Sequence, residues 1–267
     1  MGSITGAFHL CLITVDTLRL TLRAWVPTVT LVSGSELLFV PQVAPYRDGP
    51  AGVHGVLDQA GVAVAQLAEM EDLIPRVISD VRELSPAEIS VARVLALFTI
   101  GETPWSEEQR AVIVERVQAG TLAILAIHSA ADACDGWSEY GDLVGARFDG
   151  HPWTQTVELE VVVRDHPATA HLGPTWTWHD EVYQFRGLRP DAHVLVRAPV
   201  DQLDLGRPGA REPEFGYPLA WCFSEGAGRV FATALGHFPA AWESPTYLRH
   251  LHGGLSWTLA TDESGGN

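Results

Sequence analysis

The sequence predicts an α/β fold: a mainly parallel sheet with helices on both faces and an antiparallel extension in the C-terminal half. Three observations carry the prediction. Leu122–Ile127 is a continuous apolar run that passes at once into polar residues. That is how a strand covered on both faces delivers chemistry to its carboxyl end in an open parallel sheet. Upstream, apolar runs alternate with helical spacing, as strand–helix–strand units require. After Pro152 several strands follow with few helices between them, which suits antiparallel pairing.

Taken in order, residues 1–26 read as an apolar but irregular extension, and the first strand is expected at Val26–Val32. Gly34-Ser35-Glu36-Leu37-Leu38-Phe39 then reads as the loop that follows it, running on through Pro41, Pro45 and Pro50. Val53, Val56, Leu57 and Ala60 recur at helical spacing and stop at Gly61, a residue suited to a helix C-cap. Val62–Leu67 is expected to be the second strand and Val94–Thr99 the third. Ser106-Glu107-Glu108-Gln109 has the form of a capping box with two acids in the first turn. Its helix carries Ile113, Val114 and Val117, ends near Gly120, and leads into Leu122–Ile127. Beyond Pro152, Val157, Leu159, Val161 and Val163 alternate with Glu158 and Glu160, a half-exposed strand. His193–Val196, Pro218–Trp221 and Arg229–Ala234 are the later strands. Ser244-Pro245 starts the last helix, with Leu248, Leu251, Leu255 and Leu259 on one side. One domain, 27–262, is expected, with 263–267 as a frayed tail.

Composition narrows the function. Of 267 residues 46% are hydrophobic and 19% charged, which supplies an ample core. The net charge of −16, from 17 basic and 33 acidic residues, repels a phosphate backbone and an anionic membrane surface. Nucleic acid and membrane are therefore excluded as expected partners, and self-association is left open. Three scattered cysteines form no CxxC, as in a reducing compartment. No basic n-region with an A-x-A site opens the chain, and no run is long enough to span a membrane. A cytoplasmic location is the expectation. Neither G-x-G-x-x-G nor G-x-x-x-x-G-K-[ST] occurs, so no nucleotide or flavin is implied.

The informative polar residues are histidines at expected strand ends. His128 ends the central strand, His151 ends the loop after it, and His237 follows Ala234-Leu235-Gly236. Asp180 and Glu181 lie between them, in Trp178-His179-Asp180-Glu181-Val182-Tyr183. Strand-end residues converge on one crevice in such a sheet, where imidazoles and carboxylates form an acid/base set or a zinc or manganese site. His128, His151 and His237 are the candidate metal ligands; His128, Asp180, Glu181 and His237 are the candidate catalytic groups. Asp132, Trp137, Tyr140, His151, Tyr183 and Trp221 are the candidate substrate-binding residues. Two other readings stand beside this one. Trp137, Trp178 and Trp221 could stack on a sugar in a non-catalytic binding protein. Ser129 or Cys134 could serve as a nucleophile, although no G-x-S-x-G or G-x-C-x-G elbow is present.

The order of short segments from Leu97 to Ala260 resembles the ThuA-like (trehalose-utilisation) family. The matching pieces are Gly101-Glu102, Ile127-His128-Ser129-Ala130, Asp132 with Trp137 and Tyr140, Leu143 to Phe148, and His151-Pro152. They continue with Asp165-His166-Pro167-Ala168-Thr169, Asp180-Glu181-Val182-Tyr183, Pro218 to Trp221, Gly228 to Phe231, and Thr233 to His237. The resemblance implies a flavodoxin-like domain similar to class I glutamine amidotransferases, with His128 near the place of their cysteine nucleophile. It also implies metabolism of trehalose or a related disaccharide, including sugars oxidised to keto forms, with a small-molecule carbohydrate as partner. The family's usual histidine after the first strand has no counterpart in Gly34–Phe39, and Tyr217-Pro218 stands where relatives read His-Pro.

Overall fold

The structure, a computed structural model, describes residues 35–44 and 56–260. The expected extension 1–26, the strand Val26–Val32, the tail 263–267, Cys11 and Val53 lie outside the described residues. Eleven strands are described: β1 Glu36–Val40, β2 Ile74–Val77, β3 Val94–Leu97, β4 Ala123–Ile127, β5 Arg147–Phe148 and β6 Trp153–Val161. The others are β7 Thr175–Val182, β8 Phe185–Arg186, β9 His193–Ala198, β10 Tyr217–Glu225 and β11 Gly228–Thr233. The α-helices are α1 Leu57–Met70, α2 Pro86–Ile89, α3 Glu107–Gln118, α4 Tyr140–Val144, α5 Pro239–Trp242 and α6 Pro245–Leu259.

Nine strands form one sheet in the order β2-β1-β3-β4-β11-β10-β9-β6-β7. Pairing is parallel from β2 to β11 and antiparallel from β11 to β7. A mainly parallel sheet with an antiparallel extension is therefore what the chain forms, consistent with the flavodoxin-like class. No helix among the described residues is long and apolar enough to cross a membrane.

The first part of the chain corrects two expectations. Glu36–Val40 is a strand and not a loop: Leu37, Leu38, Phe39 and Val40 are all buried, as in a strand covered on both faces. Val62–Leu67 is helix and not strand, because α1 runs on through Gly61. Its buried residues Ala60, Ala63, Val64, Leu67 and Ala68 follow the helical spacing of three and four, while Val62 faces solvent. The next strand of the sheet is instead Ile74–Val77, a short edge strand whose proline suits an edge.

Elsewhere local chemistry and element agree. Ser106 accepts from the Gln109 N–H (3.2 Å) while the Gln109 side chain accepts from the Ser106 N–H (2.8 Å), so the expected capping box starts α3. In β6, Val157, Leu159 and Val161 are buried and alternate with outward Glu158 and half-buried Glu160. Ser244 and Pro245 start α6, whose Leu251 and Leu255 are fully buried with Leu248 and Leu259 packed beside the core. Each such leucine contributes about 1.5–3 kcal/mol of transfer free energy.

Candidate active site at the carboxyl ends of the central strands

Parallel β4 and β11 are neighbours in a register that sets Ile127 beside Thr233. The next residues, His128 and Ala234, therefore leave the sheet side by side. His128 has a φ of +48°, the left-handed region, at a cost of about 1–2 kcal/mol for a residue with a Cβ. Strain of this kind concentrates at functional sites. The Nδ1–H of His128 donates to the Ala234 carbonyl at 2.8 Å. A carbonyl can only accept, so this contact assigns the proton to Nδ1 and leaves a lone pair on Nε2. Burial pushes the imidazole down to about 4, which keeps it neutral near pH 7.

Other groups converge on that lone pair. The Tyr183 hydroxyl donates to His128 Nε2 at 3.1 Å, His237 Nδ1 lies 3.2 Å from it, and Glu181 Oε2 lies 3.8 Å away. Glu181 Oε2 is also 3.3 Å from His237 Nδ1, and its Oε1 is 3.5 Å from His151 Nδ1. Side-chain exposure rises from 0% at His128 through 11% at Glu181 and 20% at His237 to 42% at His151. The cluster thus opens on the His151 side, and His151 stands at its mouth. Tyr183 and His151 stack on each other, with Phe148 of the β5–β8 ribbon against both.

Electrostatics fixes the charge states. Burial alone would raise Glu181, but the hydrogen bond from His237 and the charges of His237, His151 and His128 outweigh it and hold the carboxyl below its ordinary value. Burial alone would lower His237, but the bond to Glu181 and the charges of Glu181 and Asp180 raise it on balance. Burial, then the nearby carboxylates, lift Tyr183 well above the ordinary phenol, so its hydroxyl stays protonated.

His128, Glu181 and His237 are also a set that could hold a metal ion. Ligands about 2.0–2.1 Å from a tetrahedral ion stand roughly 3.3 Å apart. The donor atoms here are separated by 3.2, 3.3 and 3.8 Å, and the second nitrogen of His128 is anchored on a carbonyl, as ligating imidazoles usually are. Two imidazoles and a carboxylate suit zinc or manganese, provided the His237 proton moves to Nε2. The residues present therefore fit the ion. Glu181 joins this set, whereas His151 contacts only its outer oxygen.

The remaining expected residues divide clearly. Asp180 is buried and accepts four N–H groups: Gly236 (2.8 Å) and Trp178 Nε1 (2.9 Å) on Oδ2, Glu181 (2.9 Å) and His237 (3.3 Å) on Oδ1. Asp132 lies in the 3-10 turn His128–Asp132, where its carbonyl receives the Gly101 N–H at 2.7 Å. Trp137, Tyr140 and Trp221 are core residues, each under 5% exposed. Tyr140 donates to the Ala130 carbonyl and Trp221 to that of Val144. Arg110 lies over the Trp137 ring and Phe185 meets Trp221 edge to face, while Trp178 is packed on Tyr247 and Trp176. Ser129 and Cys134 are buried as well, and burial pushes the Cys134 thiol up to about 11, which leaves little thiolate to attack anything.

Sequence reasoning misses three contributors. The Ala234 carbonyl is backbone and carries no side-chain signal. Phe148 reads as an ordinary apolar residue. Gly236 has a φ of +120°, and a Cβ there would run into Tyr247 Oη; a glycine just before His237 was the available signal.

A sequence profile of the ThuA family, described as trehalose utilisation, matches residues 48–258. The chain belongs to the ThuA family. The match reaches well before Leu97, where the visible motifs begin. Among solved structures, a ThuA-like protein of Bacteroides uniformis is similar at a TM-score of 0.69 and 18% identity, over 86% of this chain and 94% of that one. Another from Parabacteroides merdae gives 0.63 and 20%, over 85% and 90%. A cytoplasmic protein of Salmonella typhimurium gives 0.53 and 12%, over 84% and 98%. At these identities the likeness establishes the fold alone. No curated protein matches the chain.

Proposed function

We propose that this ThuA-family chain cleaves an oxidised disaccharide, a keto form of trehalose or a related sugar, by proton transfer at His151 beside a divalent ion. The observation that carries this reading is the convergence of His128 Nε2, Glu181 Oε2 and His237 Nδ1 within 3.8 Å of one another, at the end of a cluster that opens on a half-exposed histidine. A ketone acidifies the C–H beside it, and a base near neutral pH can remove that proton. His151, at the mouth and 3.5 Å from Glu181, takes it. The C–H electron pair becomes a C=C bond, the glycosidic C–O bond breaks, and the same proton passes from His151 to the leaving oxygen. Tyr183, held protonated, would turn its one O–H from His128 Nε2 toward the sugar's carbonyl oxygen once an ion takes that lone pair. His128, Glu181 and His237 would hold the ion, which when bound supplies Lewis acidity to that oxygen. Burial of His128 and Tyr183 keeps water away from the inner end of the cluster.

The test follows glucose release from a keto-disaccharide and from unoxidised trehalose by the wild type and His151→Gln. Release from the keto sugar alone, falling about 10²–10⁴-fold in H151Q, is expected for loss of a general base. Equal rates for wild type and H151Q, or no release from the keto sugar, would refute it.

A further inference from the structure

We propose that Asp180 is a positioning residue that mounts Glu181 and His237 as one unit and takes no proton from substrate. The inference rests on the reading that Glu181 and His237 belong to the working centre, and it assigns the two adjacent carboxylates different tasks. Neighbouring side chains on a strand leave on opposite faces. Although both are buried, Asp180 meets N–H groups of Gly236, Trp178, Glu181 and His237 while Glu181 meets the imidazoles.

Hydrogen-bond accounting separates them. An ionised carboxylate offers about four lone-pair sites. Asp180 fills them with the N–H groups of Gly236, Trp178, Glu181 and His237, at 2.8 to 3.3 Å. A proton on either oxygen would meet an N–H donor. Glu181, by contrast, spends its oxygens on the imidazoles of His237, His151 and His128.

The segment that Asp180 grips is otherwise pinned group by group. Ala234 N–H donates to the Leu219 carbonyl (2.7 Å) and Leu235 N–H meets Thr233 Oγ1 (3.4 Å). The carbonyls of Ala234, Leu235 and Gly236 accept from His128 Nδ1 (2.8 Å), Tyr247 Oη (2.8 Å) and Trp242 Nε1 (3.0 Å). The N–H groups of Gly236 and His237 both go to Asp180. Three strands separate β7 from β11 in the sheet order, yet Asp180 ties the end of β7 to the loop that leaves β11. Gly236 permits this, since its φ of +120° is closed to other residues. His237 is thereby held against Glu181 through its own backbone.

The test is Asp180→Asn, which keeps the shape but turns one oxygen into an NH₂ facing N–H donors. In ¹⁵N-histidine spectra of the wild type, His237 is expected to show one fixed proton arrangement. In D180N its signals should move toward those of a solvent-averaged imidazole, while the signals of His250, held by the Ala168 carbonyl, stay in place. Zinc affinity, measured well below the thermal midpoint, should fall about 10–100-fold, the usual effect of losing an outer partner of a ligand. A merely structural role would lower the thermal midpoint and leave both readouts unchanged. Unaltered His237 signals in folded D180N overturn the assignment. If the wild type takes up no zinc, the metal reading fails, and the imidazole spectra still decide the role of Asp180. If D180N does not fold, Trp178→Phe removes one donor from Oδ2; a smaller shift of His237 in the same direction supports the assignment and unchanged spectra overturn it.

Discussion

Replacing His250 by glutamine should remove about 2 kcal/mol of the stability this fold loses between pH 7 and pH 5. His250 is fully buried in α6, with Nδ1 donating to the Ala168 carbonyl at 2.9 Å and Nε2 facing Thr233 Oγ1 at 3.3 Å. Both contacts suit a neutral ring, and burial pushes it from 6.5 down to about 4. A group depressed on folding binds its proton more readily in the unfolded chain, so stability is intact above the unfolded value and falls with pH below it. Integrating between 6.5 and about 4 gives a loss from this residue of about 2 kcal/mol at pH 5 and about 3 kcal/mol at pH 4. Glutamine keeps a donor for Ala168 and an acceptor for Thr233 but cannot take the proton. Urea denaturation followed by circular dichroism at pH 7 and pH 5 measures the difference. H250Q should lose about 2 kcal/mol less than the wild type over that interval, with the other histidines cancelling in the comparison. Parallel losses in the two proteins would refute the reasoning.

Two further outcomes follow from local geometry. Gly236→Ala should destabilise the fold by about 1–3 kcal/mol from backbone strain, and more if Tyr247 cannot yield, as read by the shift in denaturation midpoint; an unchanged midpoint would show that the loop accommodates a Cβ. Cys134, buried with its thiol pushed up to about 11, should resist iodoacetamide in the native protein and react only after unfolding, as mass spectrometry of its peptide would show; rapid native labelling would contradict its burial.

The legible parts of the sequence were those where one pattern admits one element. Leu122–Ile127 could only be a doubly covered strand, and the alternation around Glu158 and Glu160 could only be a half-exposed one. The Ser106 capping box and Ser244-Pro245 marked their helices because the orphan N–H groups at a helix start select those side chains. At the beginning of the chain, local signals conflict with packing. Val62 to Leu67 alternates small and branched residues, which suits a strand locally, but the faces of Ala60, Ala63, Val64, Leu67 and Ala68 pack as a helix. Gly61 looked like a stop because glycine often ends helices, yet tertiary packing carried α1 through it.

The site divides in the same way. His128, Glu181 and His237 were visible as polar residues at strand ends, because parallel register converts strand ends into neighbours. Their distinction from Asp180 was not visible, since it depends on which face of β7 each carboxylate occupies and on backbone N–H groups from a loop more than fifty residues away. Trp137 and Trp221 looked like sugar platforms by type. Their burial follows from packing under α4 and the β5–β8 ribbon, which composition alone does not report.

The most direct test of the three-residue centre is the metal content of protein purified without chelator and reloaded with zinc or manganese. About one ion per chain in the wild type, lost in His128→Ala while the denaturation transition stays cooperative, is the predicted result. A wild-type protein that is folded yet takes up neither ion, or an H128A variant that retains the full complement, would contradict it.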